Sequence, residues 1–271
     1  MSFHLAGIIP LAGQPLNFNM PWHDSLMPIG PNYLAVERSV VECANAGCET
    51  IWIVCNNDVQ PLIRHRLGEY VQDPVWVTRH YSRNKSNYKK PIPIYYVPLN
   101  IRDKGKKDCM SWSLLHGSYI ANNISGKMST WLKPNKYYVS FPCGYYGPTL
   151  LREHRKELST NKNFFVSHGN KTALDGEFLG FTFGPEDYHA LINKYRESVI
   201  EKSRYTFSID EIFETLDIEK SNKIDVLNYW NISNWENYCQ YMSEQGYKTK
   251  RPSEFILKYH EWNDIGVDET N

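Results

Sequence analysis

Three stretches of this chain carry side chains whose types and spacing could do chemistry. Asp175 and Glu177 are the acidic residues of the segment 173–183. Paired carboxylates can hold a hard cation or accept hydrogen bonds from sugar hydroxyls. A charged turn at the entry to a strand uses the same residues and is the plainer reading. Between residues 79 and 108 nine Lys and Arg stand against Asp103 and Asp108, a balance of +7, with Tyr81 and Tyr88 interleaved. Basic residues mixed with aromatic ones can follow a phosphate backbone and stack on bases, although a solvated loop has the same composition. Asn56-Asn57-Asp58 closes an apolar run and can cap the helix that follows. The six cysteines are scattered, and neither a C-x-x-C nor an H-x-x-x-H spacing suggests zinc. Cys55 and Cys143 lie in apolar runs, as buried thiols do.

These residues need a scaffold, and the first third of the chain suggests one. An apolar strand, residues 5–10, runs into Leu11-Ala12-Gly13 and a long Pro/Asn-rich loop. A helix over 32–46 follows, with Leu34, Val36, Val40, Val41 and Ala44 on one stripe, and then a strand over 50–55. A strand–loop–helix–strand unit needs a right-handed crossover and a parallel sheet. Ligands of such sheets sit at the carboxyl ends of strands, which puts the loop 11–28 first as a binding site. Further on, the pattern predicts helices at 59–70 and 151–158, and one ending near 122. It predicts strands at 75–77, 92–98 and 164–167, and a helix opening at Pro185. The chain's 271 residues, 41% hydrophobic and 14% aromatic, suit one large α/β domain. Residues 1–242 are expected to form it, and 243–271 a short helical tail. Formal net charge is zero, so no class of partner is favoured, but from Asp210 onward thirteen acidic residues face six basic ones. No apolar run is long enough to span a membrane. The first residues lack a signal-peptide pattern, so a cytoplasmic location is expected.

Several segments resemble the sugar-phosphate nucleotidyltransferases, or nucleotide-sugar pyrophosphorylases. They are Leu11-Ala12-Gly13, Leu26-Met27-Pro28-Ile29, Ala46-Gly47 and the strand from Ile51 to Val54. The series Trp230, Ile232, Glu236, Tyr238 matches in order and spacing. The resemblance implies a Rossmann-like, three-layer α/β/α fold of the GT-A type, with a mixed, mostly parallel central sheet that includes strands at 136–144 and 173–183. It implies a nucleotide or nucleotide-sugar ligand, with Leu11, Ala12, Gly13, Gln14, Ser111 and Trp112 at the nucleotide. The family's chemical positions are changed. No Arg lies between Gly13 and Pro28, and the family's Lys falls at about Asp24 or Ser25. Its two Mg²⁺-binding Asp positions carry Cys143 and Asn231. Nucleotidyl transfer holds two polyanions in line and neutralises them with metal and cations, so four changes argue against the standard reaction. Two alternatives remain. Asp24, Asp175, Glu177 and Asn231 could rebuild a Mg²⁺ site in an active transferase. A non-catalytic interaction or nucleic-acid role could instead use the basic stretch 79–107.

Overall fold

A computed structural model describes residues 3–12, 23–75, 91–100, 102–103, 107, 109–128 and 132–252. Its strands are β1 (Leu5–Pro10), β2 (Pro28–Gly30), β3 (Tyr33–Leu34), β4 (Thr50–Cys55), β5 (Tyr70–Gln72), β6 (Pro91–Pro98), β7 (Lys136–Val139), β8 (Gly144–Tyr145), β9 (Phe164–Ser167), β10 (Phe181–Phe183), β11 (Asn222–Asp225) and β12 (Trp230–Asn231). Its helices are α1 (Ala35–Ala46), α2 (Gln60–Leu67), α3 (Met110–Met128), α4 (Arg155–Leu158), α5 (Pro185–Lys202), α6 (Ile209–Phe213) and α7 (Trp235–Tyr241). Eight strands form the central sheet in the order β11-β9-β10-β7-β1-β4-β6-β5. β1 runs parallel to β4 and β7, β4 to β6, and β9 to β11. Only β10 and the edge strand β5 are antiparallel to their neighbours.

Side chains alternate across each strand, so β1 feeds two cores. Leu5 and Ile9 pack with Val36, Val40 and Ala44 of α1. Ala6 and Ile8 pack with Leu114 and Leu115 of α3, in a core shared with Leu191 of α5 and Phe213 of α6. The result is a mixed, mostly parallel sheet between two helical layers. Glycine lets α3 close on the sheet: a Cβ at Gly117 would lie 2.6 Å from Val54 Cγ2. Among the described residues no helix is long and apolar enough to cross a membrane.

Several expected elements are shifted. α1 begins at Ala35 because Asn32, at φ 53°, turns the chain so that Tyr33–Leu34 pairs back on Pro28–Gly30. α2 ends at Leu67, and Tyr70–Gln72 forms an edge strand that the sequence reading missed. Val75 lies in a helical turn instead of a strand, and Trp76 and Val77 lie outside the described residues. The helix expected over 151–158 is a 3-10 turn, Pro148–Arg152, followed by the single turn of α4. The strand expected over 173–183 is confined to β10. The Asp175 carboxylate accepts from Thr172 N at 2.8 Å and Thr172 Oγ1 at 3.0 Å, and Gly176 at φ 84° then redirects the backbone. That local capping competes with strand pairing.

A third core joins the two segments that resemble the nucleotidyltransferases most. Met27, Ile29 and Tyr33 of the hairpin pack against Ile232, Tyr238 and Tyr241. Tyr238 Oη donates to the Pro28 carbonyl and Tyr241 Oη to that of Ile29, both at 2.8 Å. Residues beyond 242 join this packing: Thr249 Oγ1 lies 2.9 Å from Tyr241 Oη, and Arg251 Nη2 pairs with Glu37 at 2.7 Å.

Candidate functional site

β1 is the point where the strand order reverses. The chain steps from β1 to β4 and β6 on one side, then crosses to β7 on the other. Open α/β sheets take ligands at the carboxyl ends of the strands beside such a reversal, here β1 and β7. After β1 the chain bends over β4: Leu11 N and Ala12 N both donate to the Val54 carbonyl, at 2.7 and 2.8 Å. The Ala12 carbonyl accepts from Ser113 Oγ, which ties the start of α3 to this turn. Gly13 and Gln14 lie outside the described residues.

Beyond β7 the chain forms β8, which pairs antiparallel with β12, Gly144 opposite Asn231 and Tyr145 opposite Trp230. Ile232 N donates to the Cys143 carbonyl at 2.8 Å. Cys143 and Asn231, 88 residues apart in sequence, thus stand side by side beyond the carboxyl end of β7. A third segment lies across them. Gly144 runs so close beneath residue 178 that a Cβ there would meet the Phe178 carbonyl at 1.7 Å. This crossing brings in Glu177, whose Oε2 accepts from Asn231 Nδ2 at 3.0 Å and from Tyr229 Oη at 3.1 Å. Lys171 Nζ stands 4.0 Å from the same carboxylate. Tyr229 Oη also accepts from Phe178 N at 2.9 Å, and burial followed by the Glu177 charge pushes its ionisation well above the usual range. The other end of the Asn231 amide is committed too: Oδ1 accepts from Ser233 N at 3.1 Å.

Under this surface lies a buried ionic network. Arg38 and Glu42 sit one turn apart on α1 and pair at 2.8 Å, both side chains 1% exposed. Arg38 Nη1 also donates to the Phe141 carbonyl at 3.1 Å, and its guanidinium lies 4.4 Å from the centre of the Tyr146 ring. Glu42 accepts from Tyr138 Oη at 2.5 Å, from Ser140 Oγ at 2.6 Å and from Tyr146 Oη. Burial and the adjacent carboxylate keep both tyrosines protonated, their pKa values pushed well up. A buried charge is tolerable only when paired and hydrogen-bonded in this way. The network grips residues 138–146, and so holds the strand end and loop that carry Cys143. Arg38 Nε and Nη2 and Tyr33 Oη have no hydrogen-bond partner among the described residues. Ordered water is the expected partner for such atoms.

The other predicted site residues are placed elsewhere. Asp175 is spent on its cap and does not join Glu177. Asp24 belongs to the 3-10 turn Asp24–Leu26, and its side chain is outside the description. Ser111 Oγ donates to the Ser208 carbonyl at 2.7 Å. Trp112 lies between Lys107 Nζ, 3.9 Å from its ring centre, and Tyr195 of α5 at 4.9 Å. It is turned toward α5. The basic residues 79–90 fall outside the described residues. Sequence reasoning missed Arg38, Glu42, Tyr229 and Lys171. The Arg38/Glu42 spacing of four within an apolar helix was the one available signal.

Cys143 and Asn231 do not suit Mg²⁺. A buried thiol is a soft ligand, Mg²⁺ asks for hard oxygens, and both ends of the Asn231 amide are engaged. Among the described residues no three His, Cys, Asp or Glu side chains converge as a metal site.

No protein-family profile matches the chain, and no curated protein sequence matches it. Solved structures do. A Bacillus anthracis protein assigned as a glucose-1-phosphate thymidylyltransferase, solved with sucrose, superposes with a TM-score of 0.62 at 10% identity, over 92% of this chain and 98% of its own. An apo UDP-glucose pyrophosphorylase gives 0.58 at 13% identity, over 89% of this chain and 97% of its own. A UDP-glucose pyrophosphorylase solved with UDP-glucose gives 0.55 at 10% identity, over 89% and 97%. At these identities the likeness is one of fold, and the chain has the sugar-phosphate nucleotidyltransferase fold.

Proposed function

We propose that this chain binds a sugar phosphate or nucleotide sugar at the carboxyl ends of β1 and β7, without the standard Mg²⁺-dependent nucleotidyl transfer. The observation that carries this reading is the closed amide of Asn231, bonded to Glu177 through Nδ2 and to Ser233 through Oδ1. At the position where the resemblance expects a metal-binding Asp, the chain has a neutral amide engaged at both ends. Glu177 is left as a single carboxylate, 22% exposed and oriented by Tyr229 and Asn231. Such a carboxylate can accept from two neighbouring sugar hydroxyls. Lys171, 67% exposed beside it, can meet a phosphate as a point charge. These groups suit holding a polyol with an anionic substituent. They do not supply the charge neutralisation that phosphoryl-group transfer asks for.

A thermal-shift panel of nucleoside triphosphates, sugar phosphates and nucleotide sugars, each with and without Mg²⁺, tests the proposal. A ligand that binds only the folded chain raises its melting temperature. A shift with a sugar phosphate or nucleotide sugar that is independent of Mg²⁺ is expected. Pyrophosphate release from a triphosphate and a sugar phosphate would overturn the non-catalytic half of the reading. Silence across the panel would overturn the binding half.

A further inference from the structure

The guanidinium of Arg38 is engaged through one of its three nitrogens. Nη1 meets Glu42 at 2.8 Å and the Phe141 carbonyl at 3.1 Å. The remaining edge carries Nε and Nη2, whose N–H groups point the same way and match two oxygens of a planar anion. Other arginines of this fold use that edge. Arg66 holds the Glu37 carboxylate with Nε and Nη2, each at 3.0 Å. Arg155 spans the carbonyls of Asn45 and Ala44 with the same two atoms, at 2.8 and 2.5 Å. In Arg38 the edge is buried, and neither atom has a partner among the described residues. A third buried polar atom belongs with it. Tyr33 Oη has no partner there either. Burial holds that hydroxyl in its protonated form, and the leading charge acting on it is that of Arg38. Native folds rarely leave one buried polar atom unmet, and three in one neighbourhood point to a bound group.

We propose that the Nε–Nη2 edge of Arg38, together with Tyr33 Oη, is a buried binding site for a small planar oxyanion of the carboxylate or bicarbonate class. Two oxygens of the anion would accept from Arg38, and one of them or a third from the Tyr33 hydroxyl. Water can meet these atoms singly, whereas an oxyanion serves all of them and adds its charge. Glu42 does not exhaust the guanidinium, because the Glu42 charge is shared with the hydroxyls of Tyr138, Ser140 and Tyr146. Burial limits the ligand to a few atoms. Tyr33 and Arg38 are both closed to solvent, and the Tyr146 ring lies 4.4 Å from the guanidinium. A nucleotide or a sugar phosphate is too large for such a place, and the site uses neither Glu177 nor Lys171. The anion would join two segments that meet at this point: Tyr33 belongs to β3 of the hairpin, and Arg38 grips the end of the β7 segment through the Phe141 carbonyl.

Melting of the full chain in sodium formate or bicarbonate, exchanged for chloride at constant pH and ionic strength, tests this. The anion enters during local opening, so samples are equilibrated with it before heating. A saturable rise in melting temperature is expected. Tyr33→Phe removes a hydroxyl that has no partner in the chain, so without the anion it should melt no lower than the parent. Its apparent Kd for the anion should be weaker by about tenfold or more, the loss of one hydrogen bond to a charge. Arg38→Lys keeps a cation beside Glu42 but removes the fork, and should abolish the saturable rise. No saturable rise in the parent would leave water as the partner and overturn the proposal. Equal responses from the parent and Tyr33→Phe would overturn it as well. A rise that Lys171→Ala abolishes would put the anion at that exposed lysine, and would overturn it equally.

Discussion

Asn231 shows how one side chain can close a chemical option. Its amide satisfies Glu177 and Ser233 together, whereas a carboxylate there would face Glu177 across about 3 Å with no donor between them. Asn231→Asp should therefore cost about 1 to 2 kcal/mol at pH 7, after allowing for partial exposure. Millimolar Mn²⁺ should recover part of that loss, because two carboxylates then offer hard oxygens. Urea unfolding with and without the metal reads both effects, and a variant as stable as the parent would refute the assignment. Lys136 is a residue-scale case at the other end of the sheet. It is buried at the start of β7, and its ammonium is held by the carbonyls of Thr160, at 2.9 Å, and Lys162. Desolvation lowers its pKa from 10.5 to about 8, against the opposing pull of Glu186 and Asp187. Between those two values the unfolded chain holds more protons than the folded one. The contribution of Lys136 to stability therefore rises with pH across that window, by up to about 3 kcal/mol. Relative to Lys136→Met, the parent should gain stability from pH 7.5 to pH 10. A pH-independent difference between the two would contradict the buried ammonium.

At the scale of elements, the site depends on two contacts between segments far apart in sequence. The hairpin of β2 and β3 is held to α7 by Tyr238 and Tyr241, and Thr249 locks the far side of Tyr241. Tyr241→Phe leaves the Ile29 carbonyl and the Thr249 hydroxyl without this partner and should cost about 1 to 3 kcal/mol. Tyr238→Phe, near the rim, should cost about 1 kcal/mol. Chemical denaturation of the two variants tests the ranking, and equal losses would argue against it. The crossing of residue 178 over Gly144 is the second contact. Gly144→Ala puts a methyl group into the Phe178 carbonyl, and the obstacle is backbone, which cannot rotate away. A loss of about 3 kcal/mol or more is expected, with ligand affinity falling further because Glu177 travels with Phe178. An alanine variant of parental stability would show that the crossing is looser than described.

For the whole molecule, the reversal of strand order at β1 decides where a ligand can reach several elements together. The β8–β12 ribbon and the 171–177 segment meet beyond the carboxyl end of β7. A ligand at a hundredfold excess over its Kd should stabilise the fold by about 2.7 kcal/mol. Glu177→Gln should weaken a sugar phosphate about tenfold, or about 1.4 kcal/mol, by replacing a charged acceptor with a neutral one. Isothermal titration measures this directly, and an unchanged affinity would remove Glu177 from the site.

The sequence by itself determined the strand–loop–helix–strand opening, the parallel sheet and the likeness of the segments at 11–13, 26–29 and 230–238. Those features rest on local periodicity and on turn residues, which neighbours in the chain dictate to one another. The resemblance also implied that Cys143, in the stretch 136–144, and Asn231 stand where the family carries Asp. What only the tertiary structure decided is which groups meet. Asp175 and Glu177 look equivalent in sequence, yet Thr172 and Gly176 turn one into a cap while the crossing over Gly144 carries the other to Asn231. The pairing of β8 with β12 joins Gly144 to Asn231, 87 positions apart, and the buried Arg38–Glu42 pair finds Tyr138, Ser140 and Tyr146 about a hundred residues away. Contacts of that range arise from packing and hydrogen-bond satisfaction in three dimensions, and no local propensity encodes them.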